Sequence, residues 1–128
     1  MRGVTASMAL EILFYADSRG HQPVLEWMEE LKEKEPHTFR RMFYLLQWLE
    51  ENGESLRAGK IKRKDIKRLT GTNDIWQIRV DENRVLYFYY GQDSIVLTNQ
   101  FKKKKNKTPK KEIIRAENRK KSWIERNS

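Results

Sequence analysis

The chain has 128 residues, 38% of them hydrophobic, and carries a formal charge of +9. That length suits one domain with a modest core, and four Trp, five Tyr and five Phe argue against disorder throughout. Cysteine is absent, which excludes disulfides, thiolate catalysis and Cys-ligated metals and fits a reducing cytoplasm.

Residues 1–8 read as a lead outside the folded domain, with Met8 an alternative start. Glu11 interrupts the first apolar run, which argues against a signal peptide. No stretch approaches the ~18 apolar residues of a membrane span. Leu10, Ile12 and Phe14 alternate with Glu11, Leu13 and Tyr15, which predicts a first strand. Asp17-Ser18-Arg19-Gly20 is turn composition, and Pro23 opens a helix carrying Val24, Met28 and Leu31. Pro36 ends that helix or starts the next. Phe39, Met42, Phe43, Leu46 and Leu49 give the second helix its apolar face, with Gly53 as its C-cap. The two helices are expected to form a hairpin on one face of a sheet.

Residues 57–65 form a basic loop, 66–69 a short strand and 71–74 a turn. Alternating segments at 75–80, 84–90 and 95–101, joined by turns at 81–83 and 91–93, predict a meander. The lysine-rich tract 102–107 leads to Thr108 as N-cap and Pro109 as first residue of a last helix reaching about Arg126. Ile113, Ala116, Trp123 and Ile124 give that helix one apolar side. The order β-α-α-β-β-β-β-α predicts a single α+β domain over 1–128.

Charge is uneven. Residues 1–55 hold 6 Lys+Arg against 10 Asp+Glu, a balance of −4; residues 56–128 hold 21 against 8, a balance of +13. That asymmetry predicts one polyanion-binding side, against the plainer reading of a solvated basic surface.

Most familiar chemistry finds no support. His21 and His37 lack partners in sequence and read as surface histidines. Glu26, Glu29, Glu30 and Glu33 share a helix face, which is ordinarily the solvated side of an amphipathic helix and not a metal site. Phosphate-binding glycine loops and serine-nucleophile motifs are absent. No metal or cofactor is expected.

Arginine and lysine chemistry remains. Attack of an RNA 2′-hydroxyl on its neighbouring phosphate needs in-line geometry and positive groups where charge develops. Arg79 and Arg84 are candidates, because a guanidinium can grip two phosphate oxygens. They share a sheet face if the hairpin leaves Asp81 opposite Arg84. The plainer reading pairs each with an acid. A lysine crowded by cations has a depressed pKa and can accept a proton. Lys102 and Lys103, nearest the strand end, are the candidates for that role. Lys67, Arg68, Gln77, Lys104, Lys105 and Lys107 are candidates for holding RNA. Phe101 is the best base-stacking candidate; Trp76 and Phe88 read as core, and Tyr87 and Tyr89 fit either role.

The chain resembles the RelE/ParE toxin superfamily, closest to its HigB-like, phage-derived branch. Lys67-Arg68-Leu69-Thr70-Gly71, Ile75-Trp76-Gln77-Ile78-Arg79-Val80, Arg84-Val85-Leu86-Tyr87-Phe88, Phe101-Lys102-Lys103, Lys107-Thr108-Pro109 and Glu112 carry the resemblance. It implies a RelE-like fold and a cytoplasmic mRNA endonuclease working on the ribosome. It also implies neutralisation by a helix-turn-helix, HigA-like antitoxin. By the same resemblance Arg79, Arg84 and the lysines at 102–104 fall at the basic positions of such enzymes. Gln77 stands where some relatives have lysine, and the C-terminal catalytic Tyr or His of others has no match. Two other functions fit the sequence: a ParE-like inhibitor of DNA gyrase, and a plain nucleic-acid-binding module.

Overall fold

The computed structural model describes residues 9–104 and 106–128. The elements are β1 (Glu11–Phe14), α1 (Pro23–Lys34), α2 (Pro36–Arg57), β2 (Ile66–Arg68), β3 (Trp76–Val80), β4 (Asn83–Tyr90), β5 (Ser94–Lys102) and α3 (Lys110–Arg126). This is the expected order and the expected α+β class. The lead at 1–8 and the RNA-contact candidate Lys105 lie outside the described residues.

One five-stranded sheet runs β1-β5-β4-β3-β2. Strands β2 to β5 pair antiparallel as a meander, and β1 joins β5 in parallel. The α1–α2 hairpin covers one face, packing Val24, Met28, Met42 and Leu49 with Ile78, Val85 and Leu97. Helix α3 covers part of the other, packing Ala116 with Leu86, Phe88 and Val96. Each fully buried aliphatic side chain of this kind stabilises by about 1.5–3 kcal/mol. Among the described residues no helix is long and apolar enough to cross a membrane.

Several local expectations change. Gly53 is no C-cap; α2 continues to Arg57 and Gly53 is buried within it. A Cβ there would stand 2.5 Å from Leu10 Cδ1, so the glycine lets β1 approach the helix. The Leu10 amide donates to the Glu50 carbonyl at 2.8 Å in the same contact. On α2, Leu45 takes a buried place, while Phe43 stays 49% exposed and stacks on Phe39. Tyr87 and Tyr89 are core residues: their hydroxyls meet at 3.3 Å and Tyr89 donates to the Gly53 carbonyl. Burial pushes the Tyr87 phenol well above its usual range and the Tyr89 phenol up to about 12.

The β3–β4 turn is tighter than the three residues expected, because Val80 pairs with Asn83. Only Asp81 and Glu82 lie between, with Asp81 at φ +55°, a conformation aspartate tolerates. Asp81 accepts from Thr38 Oγ1 and Arg41 Nη1, so α2 holds the turn from below.

A bulge in β5 matters more. Leu86 pairs with Asn99 but Tyr87 pairs with Leu97, which leaves Thr98 unmatched. The extra residue inverts the strand's alternation. Ile95 and Leu97 face the helix hairpin, whereas Phe101 packs on the α3 side. The alternation read from sequence placed all three on one face.

Candidate functional site

Strand register builds a basic patch on the α3 side of the sheet, beyond the start of that helix. In one row Arg79 pairs with Arg84, and Arg84 with Phe101. In the next row Lys67 pairs with Gln77, Gln77 with Leu86, and Leu86 with Asn99. Opposed residues share a face, so Lys67, Arg79 and Arg84 point the same way. The shared face expected for the arginines is present, through a register in which they oppose each other directly.

The two arginines differ in environment. Arg79 is exposed, and its guanidinium has no hydrogen bond or ion pair among the described residues. Arg84 is 8% exposed. Its Nη1 donates to the carbonyls of Asp81 at 2.9 Å and Asn83 at 3.1 Å, clasping the turn. Its Nε is buried without a partner. Burial, then the Arg79 charge, holds the Arg84 guanidinium below its usual range. Arg84 is therefore not paired through its guanidinium with the Asp81 carboxylate.

Lys103 completes the patch. Its amide donates to the Glu82 carbonyl at 2.8 Å, which anchors it against the same turn. Burial lowers its amine below the usual lysine range, and the charges of Arg84, Lys67 and Arg79 lower it further. A group made easier to deprotonate by its neighbours suits proton acceptance.

Other sequence candidates stand elsewhere. Lys102 closes β5 opposite Asn83, and alternation points it away from the face of Phe101 and Arg84. Arg68 pairs with Trp76, on the hairpin side, and Arg68 Nε bonds Asp74 at 3.0 Å. Phe101 is 8% exposed and packed in the α3 core, so its ring is not free to stack on a base. Lys104 and Lys107 are exposed in the loop before α3.

Gln77 is 4% exposed and holds the loop from beneath. Thr108 Oγ1 donates to Gln77 Oε1 at 2.7 Å, and Thr108 does not cap α3; Pro109 occupies that position. A second anchor follows, where Asn99 Nδ2 donates to Glu112 Oε1 at 3.0 Å. Both ties hold the C-terminal end of the lysine loop, and the Lys103 amide bond to the Glu82 carbonyl holds its start. Gln77→Leu removes the first tie at a cost of about 1 kcal/mol. The Lys103 amine should then titrate closer to an ordinary lysine, read by NMR without substrate. An unmoved Lys103 titration in folded Gln77→Leu protein refutes the tether.

Sequence reading passed over Arg41, Arg63 and Lys64, which with Asp65, Arg79 and Asp81 line a cleft of about 450 Å³ behind the patch. The basic composition of the 57–65 loop was the signal for Arg63 and Lys64, and Arg41, on α2, carried none. Among the described residues no three His, Asp or Glu side chains gather as a metal site would require.

No curated protein matches the chain. A model of the phage-derived Gp49-like protein family (DUF891) matches residues 26–121, from α1 to the second-last turn of α3. That span includes the hairpin, the meander and every residue of the basic patch, and the chain belongs to this family of phage-derived Gp49-like proteins.

Proposed function

We propose that the chain is a toxin of a toxin–antitoxin pair, an endoribonuclease that cuts mRNA without a metal ion. The convergence of Arg79, Arg84, Lys67 and Lys103 on one sheet face carries this reading. The Gp49-like family is RelE-like and toxin-like, which agrees with it. In this reading Arg79 grips the non-bridging oxygens of the scissile phosphate. Arg84 keeps the turn rigid and adds charge behind it. Neutral Lys103 takes the proton of the 2′-hydroxyl. The O2′–P bond forms and the P–O5′ bond breaks, and the leaving 5′-oxygen takes a proton from water. Arginine and lysine donors pre-set around a developing charge act without reorganisation. A gyrase inhibitor would need no such patch. The ribosome as the place of cutting, the cytoplasm and a helix-turn-helix antitoxin partner belong to the same proposal.

The test is cleavage of RNA in EDTA, with any required ribosome kept intact. Products should end in a 2′,3′-cyclic phosphate and a 5′-hydroxyl. Strict dependence on added divalent ion in a ribosome-free assay would overturn the mechanism.

A further inference from the structure

The cleft behind the patch has a construction that simple surface charge does not require. It lies between the N-terminal half of α2, the loop before β2 and the β3–β4 turn. Four cations, Arg41, Arg63, Lys64 and Arg79, meet two carboxylates, Asp65 and Asp81, around about 450 Å³. Both carboxylates orient an arginine. Asp65 takes Arg63 in a two-point grip at 2.7 and 3.0 Å, and Asp81 takes Arg41 through Nη1 alone at 2.8 Å. The Arg63 guanidinium also lies 4.8 Å over the Trp48 ring and 6.0 Å from the Tyr44 ring. These guanidiniums are therefore held in place, which lowers the ordering cost of binding an anion.

An aromatic surface adjoins the charge. A smaller cleft of about 300 Å³ continues along α2 past Arg41 and Arg63 to Arg40 and Tyr44. Tyr44 is 55% exposed, so much of its ring faces solvent beside the Arg63 guanidinium. Fixed cations beside an open aromatic ring are what single-stranded RNA recognition uses: phosphates take the charge and an unpaired base takes the ring. Duplex RNA offers phosphates but no free base face. Arg79 borders both this cleft and the reactive patch, so a strand gripped there can continue into it.

We propose that this cleft binds the single-stranded RNA that flanks the scissile phosphate, with Arg40, Arg41, Arg63 and Lys64 on its backbone and Tyr44 under a base. The inference rests on the cleavage reading for its direction but is tested by binding alone. The probes are a 2′-O-methyl dinucleotide, a longer 2′-O-methyl single strand and an RNA duplex, followed by fluorescence anisotropy over a salt series. Lys64→Ala and Arg40→Ala should each weaken the longer strand, lower its salt slope by about one phosphate contact, and spare the dinucleotide. Tyr44→Ala should weaken the longer strand roughly tenfold and leave duplex binding unchanged. Wild-type affinity for the longer strand in Lys64→Ala and Tyr44→Ala overturns the inference. Equal loss of strand and duplex in Tyr44→Ala does so too. Cyclic-phosphate products alongside either result would leave the cleavage reading standing.

Discussion

Arg79→Ala should slow single-turnover cleavage by about 10²–10³-fold, the usual effect of removing one oriented charge donor. Its melting temperature should hold or rise. Arg79 opposes Arg84 across the hairpin, and like charges directly opposite each other destabilise a sheet. Arg84→Ala should behave differently. Its guanidinium bonds two turn carbonyls, and bonds to a charged group contribute about 1.5–3 kcal/mol. That variant should lose stability as well as rate. Circular-dichroism melts run beside the kinetics distinguish the two arginines. Full activity in folded Arg79→Ala protein would remove the phosphate grip from the mechanism.

Among the loop lysines the effect should be concentrated. Lys103→Ala should cut the rate at saturating RNA by about 10²–10⁴-fold, the range of a lost general base. Lys102→Ala, Lys104→Ala and Lys107→Ala should weaken binding with little change in the saturated rate. The pH profile adds a sign. A base is active unprotonated, and Lys103 is held below the usual lysine range by burial and by Arg84, Lys67 and Arg79. The wild-type rate should therefore climb with pH and level off earlier than an ordinary lysine allows. Arg79→Ala removes one repelling charge, so Lys103 keeps its proton longer and the levelling moves to higher pH. Equal losses across the four lysines, or an unshifted profile, would assign the proton transfer elsewhere.

The meander was legible because alternation and turn residues are local signals. Residues 75–80 and 84–90 alternate cleanly, and a short turn between them brings Arg79 and Arg84 to one face in either of two registers. What the sequence hid depends on contacts distant along the chain. Arg41 meets Asp81 and Gln77 meets Thr108 only after the sheet has formed. Gln77 and Phe101 were read as surface groups because polar character and neighbouring lysines suggested exposure. Burial of both follows from α3 and its preceding loop closing over the sheet. The choice between Lys102 and Lys103 was not legible either, since no composition marks Thr98 as an unmatched residue.

That unmatched residue gives the lysine run a meaning apart from its charge. Closing the bulge with no residue lost, by a one-residue slip of β5 on β4, would restore strict alternation and turn Lys102, in place of Lys103, toward Arg84. With Lys102, Lys103 and Lys104 consecutive, a frame shift by one exchanges an amine for an identical amine. Repetition thus makes the end of β5 tolerant of a one-residue slip in its pairing with β4. A single lysine flanked by neutral residues would carry the same reactive group but would lose it with the first slip.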